Sequence, residues 1–136
     1  GAHLLACAIS PDILDHDRST LLTRPQRAIL IGGIYDLEPI SQTYVNEPLG
    51  LSIESARALS PQFYDTDPLV ALDIVYAEYE TKEFIRQSKA YTEKCSTSTP
   101  HIELTEVQGR HHFDIMYDIA NTDTALFQQL SVYADK

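Results

Sequence analysis

Short unbroken apolar runs alternate along this chain with longer stretches in which apolar residues recur at helical spacing. Ala28-Ile29-Leu30-Ile31, ended by Gly32-Gly33, predicts a strand buried on both faces. Leu69 to Tyr76, introduced by Pro68, predicts a second such strand. His101 to Val107 alternates apolar and polar residues, which predicts a third strand nearer an edge. Residues 1–9 are small and apolar on nearly every side, as in a helix buried against a sheet, and Pro11 stops them. Ser52 to Leu59 reads as a short helix that ends before Ser60-Pro61. Thr81 to Lys94 carries Phe84, Ile85, Ser88 and Tyr91 at helical spacing, and Asp123 to Tyr133 carries Leu126, Phe127 and Leu130. Helix and strand alternating in this way predict an α/β fold: three parallel strands, centred near Leu30, Ile74 and Leu104, with helices on both faces. So few parallel strands leave an edge open to further pairing, so residues 1–136 are expected to be part of a larger folding unit.

Length and composition narrow the function classes. The chain of 136 residues has the length of one domain, and 43% hydrophobic residues allow a real core. Ten basic residues stand against 20 acidic ones, a net charge of -10, and no stretch gathers the basic residues into a patch. Nucleic acid and anionic membranes are therefore not expected as partners. No apolar run approaches the roughly 20 residues of a membrane span, and the start lacks the pattern of a signal peptide. Cytoplasm is the expected location. Cys7 and Cys95 match no metal or redox spacing and suit a reducing compartment, with a disulfide between them left open. No internal repeat occurs, and Ser96 to Pro100 is a short polar loop.

In parallel α/β sheets, functional residues gather beyond the carboxyl ends of the strands. Three segments fall there: Gly32 to Ile40, Glu78-Tyr79-Glu80, and Gly109-Arg110-His111-His112-Phe113-Asp114. A histidine that acts as a general base needs a carboxylate to hold its tautomer and stabilise the imidazolium. Glu80 or Glu78 could reach a histidine of the third segment; the competing view makes both acids solvated and His112 a surface residue. His111, His112 and Asp114 do not predict a metal site, because adjacent histidines in an extended loop point apart and no third ligand has metal spacing. His3 reads as a packed, hydrogen-bonded histidine, while His16 and His101 have no supporting constellation. Gly32-Gly33 lacks the third glycine and following helix of a dinucleotide fingerprint, so no cofactor is expected.

Four strings carry a resemblance. Gly1-Ala2-His3-Leu4 looks like the tail of a nucleophile elbow whose serine would stand two residues upstream. Ile34-Tyr35-Asp36-Leu37-Glu38-Pro39-Ile40 is the most specific string; Glu83-Phe84-Ile85-Arg86-Gln87-Ser88 and His112-Phe113-Asp114 follow in order, and Ser60-Pro61 also fits. Together they resemble the kynurenine formamidase (arylformamidase) family of α/β-hydrolases. The resemblance implies the C-terminal portion of that fold. It also implies hydrolysis of N-formyl-L-kynurenine to L-kynurenine and formate by the intact protein. Carried over by position, His112 matches the triad histidine and Glu80 the acid position, where the family usually has aspartate. Gly32 stands where the family usually has serine, and His111 replaces an acidic or polar neighbour. Tyr35, Tyr44 and Phe113 are expected as walls for an aromatic substrate, an N-formyl aromatic amide or ester. A homodimer of the full-length parent is left open. Without its serine and oxyanion loop, the segment alone is expected to be inactive. The alternatives are a carboxylesterase with another acyl substrate, or a non-catalytic hydrolase-like binding protein.

Overall fold

The central strand explains the rest of the architecture. In the computed structural model, which describes residues 1–13, 25–99 and 101–132, strands β1 (Arg27–Ile31), β2 (Ala71–Ala77) and β3 (Ile102–Val107) form one sheet. Their order is β1-β2-β3 and both pairings are parallel. Leu30 pairs with Ile74 and Ile74 with Leu104, so the three expected strand centres lie in one row across the sheet. His16 lies outside the described residues, as do Pro100 and the Tyr133 end of the last expected helix.

Strand periodicity of two assigns the sheet residues to two cores. Ala28, Leu30, Leu72, Ile74, Ile102 and Leu104 fall in one cluster, with Ala6 and Ile9 at the first helix and Tyr91 and Cys95 from a long helix. Those helices are α1 (Ala2–Ala8) and α4 (Lys82–Cys95). Ile31, Val75, Ala77 and Val107 belong to the second cluster, under Ile115, Ile119, Leu126 and Leu130. The helices there are short, α5 (Ile115–Ile119) and α6 (Ala125–Ser131). Two further short helices, α2 (Glu38–Ser41) and α3 (Ile53–Ala58), lie in the connection between β1 and β2. Each fully buried Leu, Ile or Val contributes about 1.5–3 kcal/mol, so the two-sided burial of β2 makes it the anchor of the sheet.

Helix starts follow the cap rules. Ser52, Thr81 and Thr124 are N-caps whose side chains accept from Ser55, Phe84 and Phe127 backbone N–H groups. Two expectations need correction. Strand β1 is not buried on both faces: Ala28 and Leu30 are buried, but Ile29 and Ile31 are half-exposed, because the side roofed by the short α5 and α6 is covered less fully. Strand β2 begins two residues later than expected, and Asp73, the one charged residue of the expected run, is buried. Arg27 meets it with a forked guanidinium, Nη2 donating to Oδ1 at 2.7 Å and Nε to Oδ2, while Nη1 donates to the Leu130 carbonyl. A buried carboxylate without such a partner would cost several kcal/mol. Strand β3 is an edge, with Glu103 and Glu106 exposed along it.

Candidate active site

Because the strands are parallel, the segments after β1, β2 and β3 emerge at one end of the sheet. Backbone bonds tie them together there. Gly32 N–H donates to the Val75 carbonyl at 2.9 Å, Glu78 N–H to Val107 at 3.0 Å, and Tyr79 N–H to Arg110 at 2.8 Å. The Glu78 carboxylate accepts from Gly109 N–H at 2.7 Å, which commits it to shaping the turn after β3. Glu80 is left for the histidine.

His112 Nδ1 lies 2.9 Å from Glu80 Oε1. The carboxylate can only accept, so Nδ1 carries the proton and Nε2 keeps its lone pair. The Glu80 side chain is 0% exposed and that of His112 42%, so the acid is shielded from water while the ring is open to a reactant. Glu80 Oε2 is buried with no hydrogen-bond partner among the described residues. Phe84 lies tilted at 4.8 Å from the imidazole and Phe113 edge-on at 5.3 Å, which restricts the ring between two aromatics. His111, the neighbour in sequence, turns elsewhere. Its backbone N–H donates to Asp114 Oδ1 at 2.7 Å and its Nε2 sits 3.3 Å from Asp114 Oδ2. Arg110 anchors the same loop to α5 through a forked pair with Asp118, at 2.6 and 3.0 Å. That guanidinium holds the Asp118 carboxyl below the usual carboxylate range.

The loop after β1 is pinned by side chains from three other parts of the chain. His3 Nδ1 donates to the Ile34 carbonyl at 2.9 Å, and its Nε2 faces the Cys7 thiol at 3.5 Å. Gln87 Oε1 accepts from the N–H groups of Tyr35 at 2.7 Å and Asp36 at 2.8 Å, while its Nε2 donates to the Asp36 carbonyl and to Glu83. Ser60 Oγ accepts from Leu37 N–H at 2.8 Å, and Gln62 N–H donates to the Tyr35 carbonyl at 3.0 Å. The strings around His3, Ile34 to Leu37 and Gln87, with Ser60, are thus hydrogen-bonded to one another, and the Gly32 end of the loop they hold lies against Glu80 and His112. Spacing gave no warning of Gln87 or Asp118, and it marked Phe84 only as part of a helix stripe; the co-occurrence of the strings pointed to Phe84 and Gln87 but not to their roles.

Of the expected substrate walls, Phe113 is 81% exposed beside His112. Tyr44 is exposed on a 3-10 turn, Tyr44–Asn46. Tyr35 requires correction: it is 0% exposed, stacked on Tyr91 with ring centroids 4.2 Å apart, and serves as core rather than as a wall open to a ligand. Its phenol is pushed far above the ordinary range, chiefly by burial. Cys7 and Cys95 are both free thiols. Among the described residues no three His, Cys, Asp or Glu side chains group as metal ligands, and no helix is long and apolar enough to cross a membrane.

A kynurenine formamidase of Danio rerio is 31% identical over 135 residues, covering 96% of this chain and 45% of the relative. One of Salmo salar is 33% identical over 136 residues, with the same coverage. The chain is similar to kynurenine formamidases along almost its whole length. It spans about half the length of the curated relatives it matches. No family model matches it. Among solved structures, a candidate thioesterase from Silicibacter sp. TM1040 superposes with a TM-score of 0.75 at 22% identity, over 94% of this chain and 46% of that one. The fold is that of the α/β-hydrolases, three parallel strands with flanking helices.

Proposed function

We propose that residues 1–136 are the C-terminal portion of an α/β-hydrolase domain, in a serine hydrolase that cleaves N-formyl-L-kynurenine to L-kynurenine and formate. The observation that carries this is the 2.9 Å contact between His112 Nδ1 and the buried Glu80 carboxylate, at the carboxyl end of a parallel sheet. Sequence relationship to the kynurenine formamidases supports the substrate. In this scheme a serine outside the chain attacks the formyl carbon while His112 Nε2 removes its proton. Glu80 holds the tautomer and stabilises the imidazolium, which then protonates the leaving aniline nitrogen. Water enters by the reverse proton path and releases formate. Phe113, exposed beside the imidazole, is proposed as one wall for the aromatic ring, and Tyr44 as another. Two free thiols, both buried, favour a reducing compartment, the cytoplasm.

Formate release from N-formyl-L-kynurenine, followed in the full-length protein, tests this. His112→Ala is expected to lower kcat by about a thousandfold or more, and Glu80→Gln by roughly a hundredfold to ten-thousandfold. Residues 1–136 alone are expected to release none. Full activity in His112→Ala would overturn the assignment. A preference for acetyl or longer esters over the formyl amide would overturn the formamidase reading in favour of a carboxylesterase.

A further inference from the structure

We propose that Gly32 is a positioning residue: the missing side chain at position 32 makes the room in which a glutamate at position 80 meets His112. The inference rests on Glu80 and His112 working as an acid–base pair, and it concerns which acid that pair can hold.

Three glycines, Gly32, Gly50 and Gly109, adopt positive φ, at 54°, 61° and 72°. At Gly50 and Gly109 a Cβ would meet nothing within 4 Å. At Gly32 it would lie 2.9 Å from Glu80 Oε1, His112 Nδ1 and His112 Cε1. That is closer than real Cβ contacts come, and the atoms met are the two ends of the hydrogen bond itself. The acid end cannot step aside, because the Glu80 side chain is fully buried; the imidazole, packed on Phe84 but 42% exposed, is the end that yields. The glycine backbone is fixed as well, since its N–H donates to the Val75 carbonyl at 2.9 Å. A methyl at position 32 must therefore push acid and histidine apart. Aspartate is shorter by one C–C bond, about 1.5 Å, so its carboxylate withdraws from the same space. Shortening the acid removes the Oε1 collision only; the imidazole, 42% exposed, must then yield to the Cβ and follow the withdrawn carboxylate, and in this way position 32 and the length of the acid are coupled.

The experiment uses the full-length protein with Gly32→Ala, Glu80→Asp, the double variant, and Gly50→Ala as a control for left-handed strain without collision. The readouts are the hydrogen-bonded His112 Nδ1–H resonance by NMR, and kcat and KM for formyl-anilide hydrolysis. Gly32→Ala is expected to lose the resonance and at least a hundredfold in kcat with KM within threefold, roughly the scale of a disrupted acid–histidine pair. Gly50→Ala keeps both. Adding Glu80→Asp to Gly32→Ala is expected to restore the resonance and recover at least tenfold in kcat. Retention of resonance and kcat in Gly32→Ala would overturn the proposal, and so would a double variant no better than Gly32→Ala. If the parent hydrolyses no formyl anilide, the functional assignment fails by itself, and the resonance alone still decides the role of Gly32.

Discussion

Gln87 is 2% exposed and makes four hydrogen bonds, three of them to the backbone of the loop after β1. Its removal isolates a question of magnitude: does it fill space, or does it satisfy the loop? Gln87→Met keeps the length and apolar bulk but strips all four bonds. The Tyr35 N–H, the Asp36 N–H and the Asp36 carbonyl then lose their partner in a site with little room for water. A buried polar group left unpaired costs about 1–3 kcal/mol, so three of them set a range of roughly 3–9 kcal/mol. Local relaxation favours the low end, about 3 kcal/mol. Gln87→Ala opens space for water to replace the amide, so its polar penalty is expected to be smaller despite the larger loss of bulk. The two effects thus predict opposite orders: if satisfaction dominates, Met is the worse substitution; if bulk dominates, Ala is. Urea unfolding of the full-length protein, followed by far-UV circular dichroism, reads the difference. With a slope of about 2 kcal/mol per molar, the Met variant should shift the midpoint down by roughly 1.5 M. A Met variant within about 1 kcal/mol of wild type would refute the hydrogen-bond account of this loop.

Two smaller predictions concern the neighbourhood of the site. Arg110 lowers the Asp118 pKa, so the pair's stabilisation is fully present above the unfolded aspartate value, about 3.9, and is lost as pH falls through the lower folded value. Asp118→Asn should accordingly destabilise the protein near neutrality and flatten the acid limb of a stability–pH curve, and an unchanged acid limb would contradict it. Tyr35 Oη is buried with no hydrogen-bond partner among the described residues. Tyr35→Phe should then leave stability unchanged or raise it by about 1 kcal/mol in thermal unfolding, and a comparable loss would reveal a partner for that hydroxyl.

The strands were legible because a central parallel strand must be apolar on both faces, and Leu72, Ile74, Val75 and Ala77 meet that demand directly. Helix α5 was not, because Ile115-Met116-Tyr117-Asp118-Ile119 leaves Met116 and Tyr117 exposed and shows no complete stripe. The choice between Glu78 and Glu80 also lay beyond pattern. Both sit past the same strand end, and what separates them is a backbone N–H from Gly109, 31 residues away, that occupies Glu78. Asp73, read as part of an apolar run, depends likewise on Arg27 from the neighbouring strand. These misses share a cause: a side chain's role is set by which distant backbone group or charge the fold brings to it.

The same cause explains why separate strings carried more information than any single one. His3, Ser60 and Gln87 stand far apart in sequence, yet each bonds a different peptide group between Ile34 and Leu37. Backbone groups in such a loop cannot be left unpaired at low exposure, so a chain that keeps the loop's conformation needs all three donors or acceptors at once. Their joint presence therefore reports a preserved loop shape. That shape ends at Gly32, 2.9 Å by its absent Cβ from both Glu80 and His112. The strings are remote from the chemistry in sequence, but they hold the wall against which the acid and the histidine meet.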